Sequence, residues 1–355
     1  MTTQTLHLGD ARELTRGEQL RNTLRRRTEW RGLILLAIVV AIAAVLEPLV
    51  FSAYAVTLSR IALVGLVALG LTVVVLMGEL DLSVAGTAAV AGVIMARTSN
   101  LELGILYAVV AGVVIGIVNA FFVVKIGINS FIATLGMLFV LEGLSVVLSH
   151  NGQPIALTNV TASVNFGMPL IGPLTPRVVI FIVAFVVLGF FLARTRVGRE
   201  LYAVGGNRQA ARDAGLPVAR RLLFGFILCA VFAASAGVIN TLELGAADPT
   251  ADSTILLSSI ASAIIGGVAL TGGRGSVFGT LIGAASLGIL EVGLTLTGVS
   301  VDIQQIYIGG VLLLAIITDP ASLRAASSSV RMLLRGARAH SDSRDLDPPT
   351  PVVTP

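Results

Sequence analysis

Ten apolar runs separated by short polar breaks dominate the chain: residues 30–50, 55–77, 82–96, 103–124, 128–148, 178–193, 222–242, 255–270, 277–296 and 303–318. In hydrocarbon a backbone has no water to bond, so runs of this kind cross a membrane as helices that satisfy their own amides and carbonyls. A lone spanning helix needs about 20 apolar residues. The third, sixth, eighth and tenth runs fall short, and are expected to be buried inside a bundle or partly re-entrant. Only 12% of the 355 residues are charged, and the mean hydropathy is +0.93; a soluble domain carries about 25% charged residues. The expected fold is an all-α integral membrane protein of about ten transmembrane helices. Trp30 sits where a basic tail meets the first run, as interfacial tryptophans do. No small-residue cleavage site follows that run, so a cleaved signal peptide is not expected.

Basic residues set the orientation. They cluster before the first run, between the sixth and seventh runs, and after the tenth. A ten-span count places 21 of the 24 lysines and arginines on one face, leaving Arg60, Arg97 and Arg177 on the other. Both termini are therefore expected in the cytoplasm. This gives an N-terminal cytoplasmic tail (1–29), a transmembrane domain (30–318) with a large cytoplasmic loop at 194–221, and a C-terminal tail (319–355). The tail ends in DPPTPVVTP and has too little apolar content to fold alone.

The composition removes several chemistries. A single cysteine, Cys229, allows no internal disulfide and no thiolate metal cluster. No nucleophile–base pair or metal constellation is visible, so no catalytic or metal-binding residue is assigned. No G-x-x-x-x-G-K-[ST] phosphate loop exists, so this chain does not hold ATP in that way. GGRGS (Gly272 to Ser276) has the glycines of such a loop but neither its lysine nor its strand, and reads as a tight cytoplasmic turn. An ion-coupled carrier would need ionisable groups deep in the membrane; Glu142 and Glu291 are the candidates.

Between the sixth and seventh runs lies LYAVGGNRQAARDAGLPVARRL (Leu201 to Leu222), a polar stretch in an apolar chain. Asn207 suits a helix N-cap, Arg208 to Ala214 favours helix, and Gly215 suits the left-handed C′ position before Pro217. A helix this short is not stable in water without packing against something. A second protein and a surface of anionic lipid both fit the composition.

A resemblance narrows the choice. Gln209-Ala210-Ala211-Arg212-Asp213-Ala214-Gly215 resembles the EAA-x-x-x-G loop of ABC importer permeases, with Gln for the usual Glu. GRELYAVGGN (Gly198 to Asn207) resembles the form of that loop in the ribose/xylose-type sugar permease family. GELDLSVAG (Gly78 to Gly86), SFIATLGML (Ser130 to Leu138), GQPI (Gly152 to Ile155) and GGVALTGGRGSVFGTLIGA (Gly266 to Ala284) follow in the same order. The resemblance covers roughly residues 55 to 320. It implies that Asn207, Arg208 and the following residues to Gly215 form a coupling helix that docks into an ATP-binding subunit. It further implies two copies of that ATPase, which carries the ATP and magnesium, an extracytoplasmic sugar-binding protein, and a second, identical permease chain. No nucleic-acid partner is expected, and the location implied is the inner membrane of a prokaryote. A monosaccharide importer is the leading reading, with an ion-coupled carrier acting alone as the alternative.

Other residues carry two readings each. Asp81 or Ser83 is expected to cap the third helix, where the helix dipole favours a carboxylate; the rival assignment makes Asp81 a substrate or gating ligand, with Glu79, Asp81 and Ser83 as a gate near the cytoplasmic mouth. Asn119 and Asn240, inside apolar runs, either line a polar pathway or bond between helices. Gly112 and Gly116 permit close helix approach. Ser83-Val84-Ala85-Gly86-Thr87 is echoed by Ser276-Val277-Phe278-Gly279-Thr280, a match too short to establish a repeat.

Overall fold

The computed structural model describes residues 29–149 and 151–318; the sequence-assigned tails, apart from residue 29, and His150 lie outside them. The helices in chain order are α1 (Glu29–Leu46), α2 (Leu49–Ser52), α3 (Tyr54–Leu76), α4 (Val84–Arg97), α5 (Leu101–Ala120), α6 (Ser130–Leu148), α7 (Val160–Gly167), α8 (Pro176–Arg194), α9 (Arg196–Gly206), α10 (Arg208–Asp213), α11 (Val218–Leu244), α12 (Ser253–Ile265), α13 (Val277–Leu296) and α14 (Val301–Thr318). A π-helical turn, Phe121–Ile126, continues α5 and ends at Gly127 in a left-handed conformation. Two strands, β1 (Ile155–Ala156) and β2 (Ala246–Ala247), pair antiparallel and tie the loop after α6 to the end of α11.

Among the described residues, six helices are long and apolar enough to cross a membrane: α3, α5 with its π turn, α6, α8, α11 and α13. The sixth apolar run is one of them. Its helix starts at Pro176 and ends at Arg194, so polar ends lengthen it to 19 residues. The third and eighth runs form helices of only 14 and 13 residues, α4 and α12. A 14-residue helix rises about 21 Å, less than a hydrocarbon core of about 30 Å. Both lie almost wholly inside the bundle, which is where short helices with polar ends are tolerated.

The bundle contains two units of the same plan. In each, a long central helix (α3 or α11) ends at a left-handed glycine, Gly78 (φ +75) or Gly245 (φ +68). A break, a short helix (α4 or α12), a long helix (α5 or α13) and a peripheral helix (α6 or α14) follow. The central helices are exchanged: α3 packs on α12 and α13, while α11 packs on α4 and α5. They run antiparallel to each other, with Gly70 against Cys229 and Gly225 against Met77. Gly112 and Gly116 of α5 meet the backbone of α11 at Ala230 and Phe226, where a Cβ would fall within 3.0 Å of a carbonyl oxygen. This plan pairs α4 with α12, so the echo between Ser83–Thr87 and Ser276–Thr280 does not mark it.

Candidate functional site

The polar stretch between α8 and α11 folds as two helices, of which sequence reasoning anticipated only the second. Thr195 opens α9, its Oγ1 accepting the Gly198 N–H at 3.0 Å. Leu201 and Val204, three residues apart, are turned into the bundle and are essentially inaccessible. That spacing was the available signal for α9. Asn207 Oδ1 then accepts the Ala210 N–H at 3.0 Å to open α10. Gly215 (φ +75) closes it, with the Leu216 N–H reaching the Ala211 carbonyl at 3.0 Å and the Gly215 N–H that of Arg212 at 2.9 Å. These bonds satisfy the last carbonyls of a helix too short to hold itself.

Ion pairs and close backbone contacts fix this unit to one end of the bundle. Glu200, buried on α9, receives Arg196 at 2.8 Å and Arg221 of α11 at 2.5 Å. The Arg221 hydrogen bond outweighs desolvation and, with Arg196, holds the Glu200 carboxyl below the usual carboxylate range. Arg208 Nη2 donates to Glu79 Oε1 at 2.6 Å and to the Met77 carbonyl at 3.2 Å. Tyr202 donates its hydroxyl to the Gly275 carbonyl at 3.1 Å, and the Gly273 N–H reaches the Leu76 carbonyl at 2.8 Å. Three breaks in the chain thus meet here: 77–83, 195–217 and 266–276.

This geometry changes two assignments. Glu79 neither caps a helix nor stands free at a gate; it anchors Arg208. Ala211 is 4% exposed and packs into this chain's own core, so it is not on the outward face. Gln209, Ala210, Arg212, Asp213, Ala214 and Gly215 are exposed, and Gln209 is braced by a 2.9 Å bond to Asp213.

Asp81 and Ser83 lie deeper. Ser83 is the N-cap residue of α4, yet its side chain makes no capping bond. Asp81 Oδ1 accepts the N–H and the hydroxyl of Ser83 at 2.9 and 2.6 Å, so it bonds the cap residue rather than the free amides of the first turn. Asn119 of α5 donates to Ser83 Oγ at 2.8 Å and approaches Asp81 Oδ2 at 3.4 Å. Asn119 is fully buried. It bonds between helices and lines no pathway in this conformation.

At the opposite end a cavity of about 760 Å³ opens between the two units, lined among others by Arg60, Asn240, Asp248, Asp252, Glu291 and Gln305. The span of α3 from Arg60 to Leu76 separates it from the α9–α10 end by roughly 24 Å. Its size falls within the range of small-molecule sites, and its polar groups include both donors and acceptors. Arg60 pairs with Glu291, which also accepts the Ser258 hydroxyl. Glu291 thus has two partners, one from α3 and one from α12. Sequence reasoning did not bring Arg60 to this site, although an arginine inside an apolar run demands a partner.

A helical bundle with a solute-sized cavity at one end and an exposed polar helix unit at the other suits the membrane subunit of a transporter. The chain belongs to the family described as the permease component of the branched-chain amino acid transport system, whose model matches residues 53–316. It is 37% identical over 303 residues to the ribose import permease protein RbsC of Escherichia coli (strain K12), covering 82% of this chain and 93% of that protein. It is 35% identical over 266 residues to the L-arabinose ABC transporter permease protein AraH of Azospirillum brasilense, covering 74% and 78%. The D-allose transport system permease protein AlsC of Escherichia coli (strain K12) is 33% identical over 302 residues, covering 80% and 89%. No solved structure matches the chain. The chain is therefore a multi-pass permease subunit of an ABC importer, and ATP is hydrolysed by a separate subunit.

Proposed function

We propose that the chain carries a monosaccharide, a pentose or hexose, inward across the inner membrane, with ten crossings and both termini in the cytoplasm. The observation that carries this reading is the convergence of three distant breaks around α9 and α10, opposite the cavity. Arg194, Arg199, Arg212 and Arg220 stand at that end, as a cytoplasmic face requires. The three basic residues of the cavity end are each held by an acceptor: Arg60 by Glu291, Arg177 by Glu243, and Arg97 by the Leu148 carbonyl. Their charge is thereby offset on the face where cations are disfavoured.

In this reading α10 is the coupling helix, with Gln209, Ala210, Arg212 and Asp213 facing the ATPase. One chain offers one such helix, so two permease chains serve two ATPase subunits in a closed two-fold assembly. The sugar-binding protein docks over the cavity, whose rim carries Asp248 and Asp252. The ribose, arabinose and allose named for the relatives make the sugar class the first to test. Reconstitution with the ATPase subunit and the binding protein should give ATP-dependent uptake of one of these sugars. Uptake that persists without the ATPase would overturn the importer reading.

A further inference from the structure

The two halves of the bundle hold the same polar turn in different surroundings. After Gly78 ends α3, Asp81 Oδ1 accepts the N–H and hydroxyl of Ser83 at 2.9 and 2.6 Å. After Gly245 ends α11, Asp248 Oδ1 accepts the N–H and hydroxyl of Thr250 at 2.9 and 2.7 Å. Both read G-x-x-D-x-[ST], with the glycine left-handed and the aspartate three residues on. Each is followed by a short helix whose start is held by the peripheral helix of its own unit. Thr134 of α6 receives the Leu82 N–H at 3.0 Å, and Gln305 of α14 donates to Ser253 Oγ at 3.0 Å.

Burial separates them. Asp248 and Thr250 are exposed and line the cavity. Asp81 and Ser83 are completely buried, and Asn119 covers them. Asn119 Nδ2 faces the cluster, while its Oδ1 is buried with no hydrogen-bond partner among the described residues, an arrangement that proteins generally avoid. In transporters built from inverted repeats, access alternates by movement of one repeat against the other around a site at their interface.

We propose that Asp81, Ser83 and Asn119 form a second, inward-facing solute site, the counterpart of the cavity rim at Asp248 and Thr250, which opens as the cavity closes. The chemistry suits neighbouring hydroxyls on one solute. Asp81 accepts two O–H groups once released from Ser83, Asn119 Oδ1 accepts a third, and Asn119 Nδ2 donates. The inference rests on the importer reading.

The test measures thiol accessibility in the complete complex of permease, ATPase and binding protein, held in lipid nanodiscs so that reagent reaches both faces. Ser83→Cys and Thr250→Cys are made separately with Cys229→Ala, since the native cysteine is buried. At rest, a charged maleimide should modify Thr250→Cys at least ten-fold faster than Ser83→Cys. During turnover with ATP and loaded binding protein the order should narrow or invert, and saturating sugar should slow modification of Ser83→Cys. Ser130→Cys, whose native hydroxyl receives the Leu80 N–H at 3.1 Å, serves as a second inner reporter should Ser83→Cys not assemble. Inner reporters that stay equally unreactive at rest and in turnover, in complexes whose ATP hydrolysis is still stimulated by loaded binding protein, overturn the proposal. If the unsubstituted complex, reconstituted in liposomes, imports none of ribose, arabinose or allose, it is the proposed sugar-import reading that fails.

Discussion

Two adjacent glycines at the end of α9 give opposite expectations. A Cβ on Gly205 would stand 1.8 Å from the Leu76 carbonyl oxygen and 2.7 Å from the Gly273 nitrogen. Both are backbone atoms and cannot rotate away. Ordinary contact begins near 3.4 Å, so α9 must retreat by about 1.6 Å. Overpacking of this kind costs about 1–3 kcal/mol, and loss of the Gly273–Leu76 hydrogen bond adds about 1 kcal/mol. Better helix propensity of alanine returns up to about 1 kcal/mol. The net, about 2 kcal/mol against docking, corresponds to roughly a 30-fold shift of the docked population. At Gly206 a Cβ meets nothing within 4 Å, so alanine there should be neutral or mildly stabilising. The assay is ATP hydrolysis by the reconstituted complex with and without loaded binding protein, alongside retention of the ATPase during purification. Gly205→Ala should lose most of the stimulation while the membrane bundle still unfolds near the wild-type temperature; Gly206→Ala should keep it. Equal behaviour of the two variants would refute the argument that this backbone contact seats the coupling unit.

Arg208→Gln should weaken stimulation by about ten-fold, since a charge-assisted bond to a buried carboxylate contributes about 1.5–3 kcal/mol; adding Glu79→Gln should cost little more, and strictly additive losses would show that the pair is not one anchor. Ala210→Asp should impair association with the ATPase yet leave thermal unfolding unchanged, whereas Ala211→Asp, which buries an unpaired charge, should lower unfolding temperature and yield. The reverse pattern would mean that α10 faces the other way. The folded-state pKa of Glu200 is depressed, so its stabilising contribution is complete above the unfolded carboxylate pKa and is lost as pH falls through the folded one. The difference in unfolding temperature between wild type and Glu200→Gln should accordingly be present at neutral pH and shrink in acid; a constant difference would place the role of Glu200 elsewhere.

What sequence reasoning reached was local. Asn207 and Gly215 bound α10 through bonds spanning three to five residues, and their residue types announce them. Glu79 and Arg208 are 129 residues apart, and no periodicity relates the two. The facing of Ala211 was equally hidden: six residues are fewer than two turns, and both sides of α10 are mixed. The sixth apolar run looked short only because Arg177 and Arg194 were counted as its limits, whereas paired or interfacial arginines extend a helix without shortening its span. The architectural repeat escaped because its two signatures, GELDLS and GAADPT, share only glycine, aspartate and a hydroxyl. Those three residues set a left-handed turn and an aspartate-capped bend, and the side chains between them are free to vary.

The exchange of α3 and α11 between the two units has a consequence for biogenesis. Most of α3 is enclosed by protein, but α11, α12 and α13, which enclose it, are made long after it leaves the ribosome. Until they arrive, the residues of α3 that later face protein must be covered by lipid or by the insertion machinery, with Arg60 lacking Glu291. A chain halted after α8 would carry that uncovered arginine in the membrane and should be degraded rather than accumulate as a stable half. Neither unit is a self-sufficient folding domain, and rupture of the exchange at either end should release both together.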